Sequence, residues 1–247
     1  MMRVILSVLF VIALIAGLVI FAPARLVYDA LVPSGVQAGL VQGTVWNGHA
    51  LRVRRGDLEL QRVQTTLEPG SLLSGRMRVQ TEILDPRVQL RAVIGVGSNR
   101  IDVQGAEGVV ALSAWPGLAA IPALSLAGDA AVQLDGVDVS LDQDGRCLSA
   151  EGAMMSPALA DLGVRYDVDL PIIDMMLSCV GEHVALTLTG TGPTLDLDGR
   201  IVLSAPRPSY RLRATAHDPS AGPVLSLLGL QAQGADWVAE SGAMEEG

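Results

Sequence analysis

The stretch Ala50-Leu-Arg-Val-Arg-Arg55, Gly56-Asp57, Leu58-Glu-Leu-Gln-Arg-Val-Gln-Thr-Thr-Leu67 decides the fold. Apolar and polar residues alternate on both sides of a Gly-Asp break. A period of two puts one residue type on each face of a strand, and Gly with Asp supplies the turn between strands. The segment therefore reads as a β-hairpin with two antiparallel, half-buried strands.

The same texture extends along the chain. Gly75 opens Arg76–Leu84, and Arg87–Ile94 follows Pro86. Ile101–Val103 and Val109–Leu112 read as two short strands, and Ser113–Pro122 as a break holding a helical turn. Strands are expected again at Asp129–Leu134, Val137–Leu141 and Cys147–Ala150, separated by Asp135-Gly136 and Asp144-Gly145, which have hairpin-turn chemistry. Val184–Gly190, Leu195–Asp198, Arg200–Leu203 and Tyr210–Ala216 continue the pattern, with Asp198-Gly199 as a third Asp-Gly turn. Pro223–Gln233 is the best helix, with Ser220 as its cap and Gly234 as its stop. The expected class is mainly β: about a dozen antiparallel strands curved into a groove, sandwich or incomplete barrel, with one or two short helices.

Ahead of this lies Val4–Ala22, an apolar run without a charge, flanked by Arg3 and Arg25. About 20 such residues span a hydrocarbon core of roughly 30 Å as a helix. Ala22-Pro23-Ala24 has the small-x-small form of a signal-peptidase site, so a cleaved signal competes. The run exceeds the roughly 7–15 apolar residues of a signal, which favours an uncleaved anchor. The expected organisation is a cytoplasmic tail (1–3), a transmembrane anchor (4–22) and a linker with a short helix (23–40). A translocated β-rich domain (41–239) follows, with halves at 41–122 and 123–239, and then a disordered acidic tail (240–247).

Composition narrows the function. Half of the 247 residues are hydrophobic but only 3% are aromatic, and both Phe residues, Phe10 and Phe21, lie in the apolar run. The exported core must be built from Val, Leu, Ile, Ala and Met. A net charge of −9 argues against nucleic-acid binding and against a polybasic lipid dock. Cys147 and Cys179 are the only cysteines. In a chain leaving the cytosol they are expected to pair, closing a loop of about 30 residues worth roughly 3 kcal/mol. Two buried thiols in strands are the alternative.

Catalytic and metal signatures are missing from the sequence. His49, His183 and His217 are far apart, and none has a partner at a spacing that makes a general base. No nucleophile elbow, phosphate loop or zinc-protease pattern occurs. Gly95-Val-Gly-Ser98 reads as a strand end, and Asp142-Gln-Asp144-Gly145 as a hairpin turn, since the spacing of a calcium loop fails. Asp196 and Asp198 alternate with Leu and should share an outer face. No cofactor or metal is expected. In Gly43-Thr-Val-Trp-Asn-Gly48 a Trp sits between two glycines at a strand entry, which reads as a folding corner.

That corner also carries a resemblance. Gly43-Thr44-x-Trp46-x-Gly48 is followed by Leu67-Glu-Pro69-Gly-Ser-Leu72-Leu73-Ser-Gly75-Arg76. Leu126–Leu134, Asp198–Leu203 and Leu227–Leu230 come after these. In this order the chain resembles protein N of the type II (general) secretion pathway of Gram-negative bacteria. The place where such proteins usually carry a Trp before the second run reads Gln64-Thr-Thr-Leu-Glu68. The resemblance implies a single-pass inner-membrane protein with a periplasmic β-rich domain, not an enzyme, in the machine that exports folded proteins. Its implied partners are other secretion components, those of the inner-membrane platform and the outer-membrane secretin. A reading of another class is a periplasmic lipid-handling protein with an apolar β-groove.

Overall fold

The structure, a computed structural model, describes residues 21–25, 36–56, 58–72, 75–114, 130–203 and 208–241. The apolar run up to residue 20, most of the segment read as linker, Leu73 and residues 242–247 fall outside these. Among the described residues, no helix is long and apolar enough to cross a membrane. The chain divides into two compact units, 1–85 and 86–247.

The first unit holds β1 (Val36–Gly43), β2 (Asn47–Arg55), β3 (Leu58–Leu67), a single helical turn α1 (Pro69–Leu72) and β4 (Met77–Asp85). The strands pair in chain order, all antiparallel, with Gly43 opposite Gly48, Ala50 opposite Val63 and Val63 opposite Ile83. β1 begins inside the segment read as linker. Its sequence, Val-Gln-Ala-Gly-Leu-Val-Gln-Gly, lacks strict alternation because it is an edge strand with both faces partly open. Pairing with β2, not local pattern, makes it a strand.

The second unit holds β5 (Val88–Val96), β6 (Arg100–Ala111), β7 (Ala131–Asp142), β8 (Cys147–Ser156), α2 (Ala158–Tyr166), β9 (Ile173–Val180) and β10 (His183–Thr191). It continues with β11 (Leu195–Leu203), β12 (Ser209–Ala216), α3 (Ala221–Leu227), β13 (Gln231–Gln233) and β14 (Asp236–Ser241). Neighbours run β5 to β12 in chain order, then β14, then β13, and every pairing among them is antiparallel. The seam at Asp85 differs from the expected one at 122/123. The reason is packing: Ala92 of β5 and Ala106 of β6 belong to the same core cluster as Leu186, Ile201 and Leu225.

Four local readings are corrected. Ile101–Val103 and Val109–Leu112 are not separate strands; β6 runs through both, with register shifts between Val103 and Gly108. Asp135-Gly136 is not a hairpin turn. It lies inside β7 at a shift between Asp135 and Asp138, where Gly136 takes the left-handed conformation (φ +61°) of a β-bulge. Asp198-Gly199 lies inside β11 opposite Leu212, whose side chain fills the space a Cβ at Gly199 would need. The predicted helix Pro223–Gln233 ends at Leu227. Leu230 N–H closes back on the Leu225 carbonyl at 3.0 Å, and Gln231–Gln233 becomes a strand. Gly234 therefore turns the β13–β14 hairpin, and Glu240 belongs to β14 rather than to a tail.

The patterning assigns nothing to residues 157–180, where the structure places α2 and β9. α2 buries Ala158, Leu159, Leu162 and Gly163 along one face. Asp161 in its first turn and Arg165 in its last agree with the helix dipole. With α3, whose Val224 and Leu225 are fully buried, it joins one core cluster with Val132, Leu134, Leu186 and Ile201 of the sheet.

Candidate functional site

The polar clusters are structural ties. Ser140 on β7 is buried and lies opposite Asp102 on β6; its hydroxyl donates to Asp102 Oδ1 at 2.6 Å and accepts from the Arg100 guanidinium at 2.7 Å. Arg100 also pairs directly with Asp102. The hydroxyl bridges two charges across the β6–β7 seam and is not set against a base. His217 shares a hydrogen bond with Asp196 Oδ2 at 3.0 Å, while Asp196 Oδ1 is buried without a hydrogen-bond partner among the described residues. Asp198, two residues along β11, is exposed. His49 shares one with Gln42 at 2.9 Å across β1 and β2, and His183 is exposed where β10 begins. Within the second unit, His183 and His217 stand beside opposite ends of β11 and share no site. Asp142 accepts the N–H groups of Asp144 (2.9 Å) and Arg146 (2.8 Å), so its carboxylate closes the β7–β8 turn.

Cys147 and Cys179 form a disulfide with Cα atoms 5.8 Å apart. Their strands, β8 and β9, pair from Ala153–Met176 to Ser156–Ile173 and no further. At the other end the disulfide takes over. Beside it, Cys147 N–H donates to the Glu182 carbonyl (2.8 Å), and Arg146 meets Glu182 at 3.1 Å. The bridge staples the seam where the ladder has stopped.

The motif residues gather at one end of the first unit. Gly43 (φ +93°) lets β1 turn, and a Cβ there would run into the Asn47 carbonyl. Thr44 N–H donates to the Asn47 carbonyl (3.0 Å), and Asn47 N–H returns to Thr44 Oγ1 (3.3 Å). Gly48 is buried against the Ala24 methyl, and its carbonyl accepts the Thr65 hydroxyl at 3.3 Å. The second motif run forms the β3–β4 corner at the same end. Pro69 opens α1, where a missing N–H costs nothing. Ser71, buried, donates its hydroxyl to the Glu68 carbonyl (2.6 Å) and accepts the Arg78 N–H (3.0 Å). Gly75 N–H donates to the Leu72 carbonyl (3.1 Å), and Arg76 N–H to the Ser71 carbonyl (3.3 Å). The two runs touch, since Leu67 N–H donates to the Trp46 carbonyl at 3.0 Å.

One partner of this corner escaped the sequence reading. Val45 N–H donates to the Ala22 carbonyl (2.9 Å), and Pro23 bridges Thr44. Ala22-Pro23-Ala24, a cleavage pattern by sequence, is here a structural contact. Its only local signal is the small side chains that let Gly48 approach.

The described residues thus define an antiparallel β protein whose polar groups tie strands together. The family model for protein N of the type II secretion system matches residues 34–239, and the chain belongs to that family of secretion-system components. Neither the curated proteins nor the solved structures yielded a match.

Proposed function

We propose that the protein is a non-enzymatic component of the type II secretion system. Residues 4–22 hold it in the bacterial inner membrane as a single span, with the bulk of the chain in the periplasm. There it supports export of folded proteins across the outer membrane. The observation that carries this reading is the family match over 34–239, with an uncharged apolar run at 4–22 ahead of it. Its partners are the inner-membrane platform of the machine and, further out, the secretin. Contact with nucleic acid is not expected at a net charge of −9. The lipid-groove reading has less support: within the second unit one apolar face of the sheet is buried in a cluster with α2 and α3.

Deleting the gene, with the other components present, should lower export of folded exoproteins. Cross-linking from exposed positions of the exported domain should trap a platform subunit. Unchanged export together with no trapped secretion component would reject the reading. Alkaline carbonate extraction tests the anchor, with the protein expected in the membrane pellet.

A further inference from the structure

The motif end of the first unit gathers aromatic, apolar and basic side chains, although exposed Leu40 and Leu84 lie away from it. At the motif end stand Phe21, 77% exposed, and Leu72, 45% exposed, with half-buried Trp46 and exposed Arg76. Among the described residues there, Glu68 is the acid, and it accepts the Gln80 amide at 3.1 Å. At the far end, beside the β2–β3 turn, Arg54 and Glu59 form an exposed ion pair at 2.6 Å. Aromatic rings, Leu and Arg beside one another suit the layer between hydrocarbon and water, where an apolar body and a polar tip are both satisfied.

Chain continuity says which surface this end faces. Ala22 is the last residue of the apolar run, and its carbonyl is hydrogen-bonded to Val45 in the β1–β2 turn. Pro23 and Ala24 lie against Thr44 and Gly48 of the same turn. The headgroup layer on each side of a bilayer is only about 6 Å deep. A turn one hydrogen bond from the end of a span therefore lies within that layer.

We infer that the β1–β2 turn and the α1 corner form a membrane-surface seat, resting on the phospholipid headgroups of the bilayer that residues 4–22 cross. The inference rests on the anchored reading given above. It adds that the domain is not hung on a loose tether: the motif clamps the emerging chain and sets the first sheet end-on to the lipid.

Labels at the two ends of β2 test this. The chain's only cysteines are bonded to each other, so a single added cysteine labels cleanly. Asn47→Cys and Arg54→Cys lie roughly 23 Å apart along the strand. Each full-length variant is labelled with an environment-sensitive fluorophore and placed in nanodiscs of phosphatidylethanolamine and phosphatidylglycerol. Some of the lipid carries a nitroxide on its headgroup. The label at position 47 should lose more than half its emission, and the label at position 54 less than a tenth. Equal loss at both positions, or none at position 47, with the protein still in the carbonate-washed pellet, overturns the seat and leaves the anchor standing. Release of the protein by carbonate overturns the anchor, and the seat with it.

Discussion

The two units are built from the same antiparallel alternation, yet among the described residues a large buried core is found in the second. Among the described residues of the first unit, Ala50 and Leu67 are the buried hydrophobic side chains. In the second unit one cluster runs from Ala92 to Leu230 and takes in both helices. Strand pattern is not what separates them. In the first unit Val41, Ala50, Val63 and Ile83 stand opposite one another across β1 to β4 and form an apolar row on one face, yet of the four only Ala50 is fully buried. In the second unit Leu186, Leu188, Leu195, Leu197 and Ile201 fall on one face, and α2 and α3 supply side chains to pack against it. A small sheet is marginal in water unless its apolar face is packed. The first unit is therefore expected to owe its order to backbone ladders and to the motif corner, and the second to burial.

With Trp115 replaced by Phe, the other two of the three tryptophans read the units separately, Trp46 in the first and Trp237 in the second. Variants keeping one or the other, unfolded in urea, turn the comparison into numbers. The largest effect is expected from Leu186→Ala, at 1% exposure, which should cost about 3 kcal/mol in the Trp237 transition and leave that of Trp46 in place. If both transitions move together, the units unfold as one and the contrast fails. Replacing Cys147 and Cys179 by Ser should cost roughly 3 kcal/mol or slightly less, again in the Trp237 transition alone. An unchanged alkylation mass with and without reductant would show that the bridge does not form.

Gly43→Ala sharpens the other side. A side chain at φ +93° against a backbone carbonyl should cost about 2 kcal/mol, seen by Trp46. An effect on Trp237 instead would mean that the corner is not what orders the first unit. Glu59→Ala removes an exposed pair and should move the Trp46 midpoint by no more than about 0.5 kcal/mol. Asp218 gives the smallest effect. Its carboxylate accepts the Ser220 N–H (2.8 Å), chiefly through which its pKa lies below the ordinary 3.8. A depressed folded pKa stabilises above the unfolded value and loses that contribution as pH falls through the folded one. Asp218→Asn should thus flatten the pH dependence only in the acid limb below 3.8, in the Trp237 transition.

Much of the local architecture was legible because it is locally encoded. The β2–β3 hairpin follows from alternation around Gly56-Asp57, and Asp144-Gly145 turns β7 into β8 as its dipeptide predicts. The same Asp-Gly chemistry misleads at 135–136 and 198–199. A residue in the left-handed region serves a bulge as readily as a turn, and a glycine can simply make room for Leu212. β9 has no turn residues within it to mark it, and α2 is short with Gly163 inside, so neither announces itself.

The motif was visible as a string of residues, but not as a place. That Trp46, Leu67 and Ala22 converge is written in hydrogen bonds between segments far apart in the chain. By itself the sequence determined a β-rich chain behind an apolar run, a cysteine pair available for bonding, and membership of a secretion family. Each of these is carried by composition, period or a local motif. Only the tertiary structure decided which Asp-Gly is a turn, which sheet face is covered, where the units part and what Ala22 touches. Those depend on the partner standing opposite each residue, and a strand's own period cannot specify that partner.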